Sequence, residues 1–288
     1  WTASKFCAAA KCGARNCSIC AGCAARLRAS KSVATRHRLR RAAEQSARGE
    51  EVRGPVGGIF GVTTTLELCC EVYRLGLMRG LEVRLHQSGF ARVAGVDEAG
   101  RGCLAGPVVA AAVIPDPERL IPGADDSKRL GPELRARLAA AIRETAIAFA
   151  VVAIPARIID RINILAATRL AMRQAIGRLA VRPDAIVVDA VTLQDLAAES
   201  PSLPTPPCLA IVKADAWSYA VACASIVAKV ERDRMLVELD RDYPWYGLAR
   251  HKGYGAPDHL RALERYGPSP LHRLTFRSVL PRLAEGVA

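Results

Sequence analysis

The sequence lacks an apolar stretch long enough to cross a membrane. A bilayer-spanning helix needs about 20 predominantly apolar residues. The longest apolar runs of this 288-residue chain are interrupted, one by Gly106 and Pro107 and the other by Arg143 and Glu144. We therefore expect neither a membrane-spanning segment nor a membrane partner.

Aromatic residues are also scarce, at 5% of the chain. Proteins that hold single-stranded nucleic acid by stacking need exposed rings for successive bases, so this composition argues against an extended stacking platform. Positive charge is abundant instead: the formal net charge is +13, while 51% of the residues are apolar and 24% are charged, as in a globular protein. Any nucleic-acid binding must therefore depend on phosphate contacts and a few placed side chains.

The positive charge is concentrated near the start of the chain. Residues 1–85 hold 15 Lys and Arg but only 6 Asp and Glu, and residues 1–43 hold no acidic residue. The segment lacks helical or strand periodicity until about residue 66. We therefore predict that residues 1–88 form a poorly structured or non-native extension and that residues 89–288 form the folded domain.

Four interpretations of the first 88 residues stay open. Overlapping Cys-x-x-Cys pairs suggest a zinc module, the arginine-rich composition fits an organellar transit peptide, and a basic arm would bind nucleic acid. The fourth, translated sequence upstream of the domain, agrees best with the missing periodicity and the glycine-rich run at 54–61. The cysteines of the zinc alternative are Cys12, Cys17, Cys20 and Cys23.

The predicted domain itself has few cysteines. Only Cys103, Cys208 and Cys223 lie beyond residue 88, an odd number in apolar or small-residue surroundings. Such cysteines are expected to be reduced thiols that pack as small hydrophobic side chains. We therefore expect a cytoplasmic protein.

Five apolar segments predict a sheet. Strands that first come in succession and then alternate with helices favour a mixed sheet flanked by helices over an all-parallel one. The predicted strands are 92–97, 107–114, 146–154, 185–191 and 208–212, and the predicted helices are 132–145, 157–179, 217–242, 257–266 and 274–283. The predicted fold class is α/β, with a mixed five-stranded sheet and C-terminal helices.

Four acidic residues interrupt or end these apolar segments. Asp97 and Glu98 come directly after VAGV of the first strand, Asp189 lies within the fourth, and Asp215 follows the fifth. A carboxylate in an apolar strand costs several kcal/mol to desolvate unless a cation compensates it. Oxygen ligands suit Mg²⁺ or Mn²⁺, and two such ions about 4 Å apart are typical of phosphodiester hydrolysis. On spacing alone, an arginine partner for Asp189 and a capping role for Asp215 are equally open.

Asp97 and Glu98 also raise a geometric difficulty. Adjacent residues of a strand point to opposite faces of the sheet. These two can share a site only if the strand ends or bends there, or if Glu98 contributes through its backbone carbonyl.

A series of short motifs matches one family in order. The first two are VDEAGRG at 96–102 and GPVVAAAV at 106–113. The others are DSKRL at 126–130, INILAATRLAM at 162–172, ASIVAKVERDR at 224–234, HKGYG at 251–255 and GPSPLHR at 267–273. Together they resemble ribonuclease HII, the type 2 ribonuclease H.

The resemblance implies a ribonuclease H-like catalytic domain over 89–288 and a metal-dependent endoribonuclease. The implied substrates are RNA–DNA hybrids and duplex DNA with embedded ribonucleotides, cut to leave 5′-phosphate and 3′-hydroxyl ends. The implied cofactor is Mg²⁺ or Mn²⁺, two ions per active site, and we expect a monomer. The resemblance assigns the catalytic and metal-binding roles to Asp97, Glu98, Asp189 and Asp215.

Two small residues depart from the family pattern. Ala190 follows the third carboxylate and Ala214 precedes the fourth, where the family usually has glycine. Neither change removes a ligand, but each adds a methyl group that could tilt a carboxylate. A proline-rich insertion at 200–207 also lengthens the connection between these two carboxylates.

Substrate contacts are expected from glycine-rich and basic positions. The turn of Gly100, Arg101 and Gly102 lets backbone groups approach a sugar, and the 2′-hydroxyl distinguishes RNA from DNA locally. Tyr254, between two glycines, is expected to present its ring to the sugar and base at the junction. The residues expected to hold phosphates, each of which could instead be a solvated surface charge, are Lys128, Lys229, Arg232, Lys252 and Arg273.

Two other functions stay open on the sequence. Another nuclease of the same fold, such as a resolvase, would share the carboxylates but has no reason to carry the glycine-rich turns at 100–102 and 252–255. A non-catalytic nucleic-acid-binding module would not need all four carboxylates. His251, His259 and His272 are not spaced as metal ligands, and we expect them to form hydrogen bonds or pack loops.

Overall fold

The computed structural model describes residues 65–189 and 206–280, which belong to one compact unit, Val62–Ala288. The predictions for residues 1–64, for Ala190 and for most of the proline-rich insertion lie outside the described residues. Within the described ranges, no helix is long and apolar enough to cross a membrane.

A mixed five-stranded sheet forms the centre of this unit, as the sequence predicted. The strands lie in the order β3-β2-β1-β4-β5; β1 pairs antiparallel with β2 and parallel with β4. Parallel neighbours need a crossover connection, and helices lie between β1 and β4 along the chain. The strands are β1 Val93–Ala99, β2 Val108–Ile114, β3 Ala148–Ile154, β4 Ala185–Asp189 and β5 Cys208–Ile211.

Helices cover both faces of the sheet. Ala94 and Val96 of β1 belong to a core with Met172 of α5, whereas Gly95, between them, faces α6. The helical segments predicted over 157–179 are two helices, because Asn163 has a φ of 66° and caps the second through Ala166 N. The described helices are α1 Thr65–Met78, α2 Gly80–Gln87, α3 Pro132–Thr145, α4 Ala156–Ile162, α5 Ile164–Gly177, α6 Tyr219–Asp242, α7 Leu248–His251 and α8 Pro257–Tyr266.

Gly95 allows α6 to lie directly against β1. A Cβ atom at this position would come within 2.0 Å of the Ala220 carbonyl carbon and 2.3 Å of Val221 N. Real Cβ atoms do not approach backbone so closely, so any side chain would push the helix away. The glycine therefore sets the distance between α6 and the strand that ends in Asp97 and Glu98.

The helix predicted over 274–283 is wrong for its described part. Residues 274–280 form turns and bends. The Asp160 carboxylate accepts hydrogen bonds from Leu274 N and Thr275 N, each at 3.0 Å, and Ser278 has a φ of 69°. These amides are bound outside a helix, and a left-handed residue interrupts helical geometry, so apolar spacing alone was misleading.

The prediction of poor structure for residues 1–88 needs correction in its last part. Residues 65–87 form helices α1 and α2. Leu75 and Met78 are buried, and Glu82 hydrogen-bonds to the start of α6. The boundary placed at residue 88 therefore falls too late, whereas the prediction for residues 1–64 stays a prediction.

Candidate active site

Three predicted carboxylates are carried by strands or turns at one edge of the sheet. Asp97 lies in the overhang of β1 beyond its last pairing with β4, Val96 with Val188, and Asp189 follows Val188 directly. Carboxyl ends of parallel strands meet at the same edge. Asp215 lies in a short 3₁₀ turn, Ala214–Ala216, that follows β5. We call the side chains of Asp97, Glu98, Asp189 and Asp215 the acidic edge.

Asp97 is the most deeply placed carboxylate of the acidic edge. Its side chain faces α6, and the residue is 4% exposed. Burial raises its pKa well above the usual range, and the nearby charges of Glu98 and Asp189 add to the rise. Hydrogen bonds from the Ser225 hydroxyl and from Glu98 N, at 2.7 Å, act in the opposite direction. The surroundings of Asp97 therefore disfavour the negatively charged form of its carboxyl group.

Glu98 lies on the opposite face of β1, as strand geometry requires. It pairs with Ala110, which belongs to the core packed by α5. Its carboxylate nevertheless reaches the acidic edge electrostatically: burial raises its pKa, and Asp189 adds to the rise, while Arg101 at 3.2 Å lowers it. The other oxygen, Oε2, is buried without a hydrogen-bond partner.

Asp189 and Asp215 are linked through the turn that carries Asp215. Asp189 Oδ1 accepts a hydrogen bond from Ala214 N at 2.9 Å, next to Asp215. Asp215 is 4% exposed, and its Oδ2 lies 3.5 Å from Lys128 Nζ. Burial raises the pKa of Asp215, Asp126 and Asp189 add to the rise, and Lys128 opposes it. Neither the arginine partner for Asp189 nor the capping role for Asp215 appears in these contacts; Ser218 caps α6 instead.

The residues of the acidic edge have the chemistry of a divalent-cation site. Carboxylate oxygens are the ligands that Mg²⁺ and Mn²⁺ prefer, and Glu98 Oε2 is a buried anionic oxygen without a partner. In this arrangement, however, Arg101 and Lys128 partly compensate the charge. Among the described residues, no three acidic, His or Cys side chains converge closely enough to enclose an ion as they stand. The residues fit a cation by charge and ligand type.

Two turns lie side by side next to the acidic edge. The glycine turn, residues 100–102, begins at Gly100 with a φ of 92°, and the tyrosine turn, residues 252–255, includes Gly253 with a φ of 76°. Leu104 N donates to Gly253 O at 2.8 Å, and a Cβ on Gly253 would lie 2.4 Å from Ala105 O. Gly253 is therefore required by the backbone contact between the segments, whereas a Cβ on Gly100 would lie 1.9 Å from Arg232 Nε. A Cβ on Gly102, in contrast, would meet no atom within 4 Å, so this residue faces open space.

Two buried arginines hold these turns in place. The sequence interpretation missed this structural role. Arg232 donates to the carbonyls of Pro107, Ala105 and Lys252 at 2.9–3.1 Å. Arg273 donates to the carbonyls at 100, 101 and 106 at 2.8–3.1 Å. The prediction that these two arginines hold phosphates is therefore wrong, because both are fully buried. Sequence alone does not separate a buried arginine from a surface one.

The other predicted substrate residues have different degrees of access. Lys128 has a 76% exposed side chain beside Asp215, whereas Lys229 pairs with Asp233 at 2.7 Å. Lys252 Nζ donates to the carbonyl of Ala249. Tyr254 is exposed, and Lys229 Nζ lies 5.9 Å from its ring centroid. Lys128 and Tyr254 are thus the most accessible of the predicted lysine and tyrosine contacts.

The histidines pack a loop, as predicted. His259 Nε2 and His272 Nε2 are 2.9 Å apart, and His251 stacks on His259 with ring centroids 4.4 Å apart. Ser269 binds His272 Nδ1 at 2.9 Å. His259 and His272 are buried and His251 is half-buried beside them. The cluster lies under the tyrosine turn, where His259 Nδ1 also contacts the Tyr254 carbonyl.

Comparison with known proteins now decides the family. The sequence pattern of ribonuclease HII matches residues 94–279. The chain belongs to the ribonuclease HII family. Ribonuclease HII of Solibacter usitatus is 50% identical over 225 residues, which cover 78% of this chain and 88% of that protein. Membership in the ribonuclease HII family makes the chain an endoribonuclease of the ribonuclease H type.

Solved structures of the ribonuclease H2 and HIII enzymes share the fold. The ribonuclease H2 of Pyrococcus horikoshii is 29% identical with a TM-score of 0.56, over 65% of this chain and 95% of that one. Bst-RNase HIII in complex with Mn²⁺ is 26% identical with a TM-score of 0.53, over 67% of this chain and 70% of that one. The Mn²⁺ complex of the HIII enzyme supports the use of a divalent metal in this group of enzymes.

Proposed function

We propose that this member of the ribonuclease HII family cuts the RNA strand of RNA–DNA hybrids and also cuts duplex DNA at single embedded ribonucleotides. The products are 5′-phosphate and 3′-hydroxyl ends. The observation that carries the proposal is the acidic edge: four carboxylates from three segments lie at one end of the sheet, although burial and mutual repulsion raise the pKa values of three of them. Such an arrangement is costly unless a cation compensates it.

Asp97, Glu98, Asp189 and Asp215 would hold two divalent cations, Mg²⁺ or Mn²⁺. When bound, such ions supply Lewis-acid chemistry for the attack of water on a phosphodiester and for the departure of the 3′ oxygen. Glu98 Oε2 supports this assignment because it is a buried carboxylate oxygen without a hydrogen-bond partner, and a cation would compensate its charge.

The protein holds the carboxylates in fixed orientations before substrate arrives. Ser225 and Glu98 N orient the Asp97 carboxylate, and Ala214 N orients that of Asp189. Such fixed geometry lowers the reorganisation that the reaction requires. Lys128, mostly exposed beside Asp215, is placed to contact a phosphate of the substrate.

Selectivity for a ribonucleotide is proposed to reside in the two turns. The open space at Gly102 lets a sugar approach the backbone, and the exposed ring of Tyr254 lies on the neighbouring turn. Hydrogen bonds between the turns, together with Arg232 and Arg273, keep this surface rigid. A rigid backbone surface next to an aromatic ring suits recognition of the 2′-hydroxyl, which both donates and accepts a hydrogen bond.

The catalytic assignment is tested with two aspartates at opposite ends of β4. Asp189 ends β4, whereas Asp184 precedes its start and pairs with Arg92 at 2.6 Å. Asp189→Asn should lower cleavage of a duplex with one ribonucleotide by about 10³-fold, equivalent to about 4 kcal/mol. Asp184→Asn should cleave nearly as wild type. Near-normal cleavage by Asp189→Asn would refute the assignment, and cleavage of an all-DNA junction by the wild type would favour a resolvase.

The selectivity proposal is tested at Tyr254. Tyr254→Ala should lower the cleavage rate at a single ribonucleotide by a larger factor than it weakens duplex binding, because discrimination arises in the transition state. Tyr254→Phe keeps the ring and separates stacking from the hydroxyl. Equal losses in binding and turnover, or an unchanged preference between a single ribonucleotide and a long RNA tract, would contradict the proposal.

A further inference from the structure

Glu82 of α2 is a buried carboxylate outside the residues that match the family pattern, 94–279. It is 4% exposed. Its Oε1 accepts hydrogen bonds from the Ser218 hydroxyl at 2.5 Å and from Ala220 N at 3.0 Å. Both contacts are made to the start of α6, more than 130 residues further along the chain. Glu82 thus joins an early helix to the segment that follows Asp215.

Ser218 transmits this contact to the turn of Asp215. It is the N-cap of α6, where its Oγ accepts from Val221 N at 3.3 Å, and its own backbone N donates to Ala214 O at 2.8 Å. A hydroxyl can donate to Glu82 and accept from Val221 at the same time. A carboxylate also stabilises the positive end of a helix. Glu82 therefore fixes the point at which the Asp215 turn passes into α6.

Helix α1 contacts another segment near Asp215, the loop that contains Gly123 and Ala124. Glu71 accepts a hydrogen bond from Gly123 N at 2.7 Å, and Arg74 donates to Ala124 O at 2.8 Å. This loop continues to Lys128, whose Nζ lies 3.5 Å from Asp215 Oδ2. The two early helices therefore contact both the segment of Asp215 and the segment of its lysine partner.

We infer that Glu82 is a positioning residue for catalysis: through Ser218 it holds the Asp215 turn in the orientation that the acidic edge requires. The inference rests on the proposed role of Asp215. It also implies that the catalytic domain predicted over 89–288 would lack this support if it were produced without α2.

The test compares Glu82→Ala with Glu82→Gln. The alanine variant loses the acceptor, and we expect its kcat to fall by about ten- to a hundredfold while the KM for the duplex stays unchanged, since small displacements near reacting groups have effects of this size. The addition of Mn²⁺ should raise its Tm less than that of the wild type. Glutamine keeps an acceptor oxygen and should restore most of both properties. Ser218→Ala cuts the same connection from the other side and should reproduce the loss if Glu82→Ala does not fold.

Met172→Ala is the matched control for lost stability. Met172 is fully buried in α5, on the other face of the sheet. Its truncation should lower the Tm in the absence of metal but leave kcat and the Mn²⁺ effect on Tm unchanged. If Glu82→Ala lowers only Tm, or if Met172→Ala lowers kcat equally, the inference is overturned. An inactive Asp215→Asn beside a fully active Glu82→Ala overturns the inference alone, whereas an active Asp215→Asn overturns the proposed function as well.

Discussion

The acidic edge and the two arginines behind the turns differ in how their buried charge is compensated. Every side-chain nitrogen of Arg273 donates to a backbone carbonyl, and Arg232 likewise uses all three of its nitrogens. In the acidic edge, Glu98 Oε2 has no partner, and burial raises the pKa of Asp97 well above its usual range. Buried charge that the protein compensates itself supports structure, whereas several incompletely compensated carboxylates at one edge of the sheet suit a cation from outside.

The largest effect on stability is expected at Arg273. Burial lowers the pKa of its guanidinium to about 10, so it is charged at neutral pH and depends on its carbonyl partners. Arg273→Met keeps much of the volume but removes the arginine donors from the carbonyls at 100, 101 and 106. We expect a loss of about 3–5 kcal/mol in the free energy of unfolding, measured by urea titration. A loss below about 1 kcal/mol would contradict the claim that the buried charge of Arg273 supports the structure.

Acidification should weaken the histidine cluster. Burial and the neighbouring His259 lower the pKa of His272 to about 4. The unfolded chain therefore takes up this proton near pH 6.5 and the folded protein only near pH 4, so stability falls as the pH drops between these values, by up to about 1.4 kcal/mol per pH unit. The raised pKa values of the acidic edge act in the opposite direction.

The variant His272→Gln separates the effect of the imidazole on the pH dependence of stability from the effect of the carboxylates of the acidic edge. The decrease in Tm between pH 7 and pH 5 should be smaller in His272→Gln than in the wild type, whatever the absolute Tm of the variant. Identical decreases would show that His272 does not carry the effect.

The smallest effect is expected at Ala214. Its methyl group is fully buried in a cluster with Val187 and Val221 and points into the core, while its N–H binds Asp189. Ala214→Gly should therefore cost about 1 kcal/mol in stability and change cleavage little. A severalfold gain in kcat would instead show that the methyl group displaces a carboxylate.

The sheet was predictable from sequence because its strands are nearly continuous apolar segments. The acidic edge was predictable for a related reason, since charge in such segments needs compensation. The roles of Arg232, Arg273 and Glu82 were not, because each depends on contacts more than 100 residues away in sequence. In the described part of the helix predicted over 274–283, the left-handed conformation of Ser278 interrupts helical geometry, which apolar spacing does not reveal.

The most direct test measures the stability of Asp97→Asn and of the wild type with and without Mn²⁺. The claim under test is that the acidic edge lowers the stability of the metal-free protein and binds a cation. Without metal, the variant should be at least as stable as the wild type, because it removes a buried charge and its repulsion of Glu98 and Asp189. With Mn²⁺, the Tm of the wild type should rise, and that of the variant should rise much less. A variant that is less stable without metal and equally stabilised by Mn²⁺ would contradict the account.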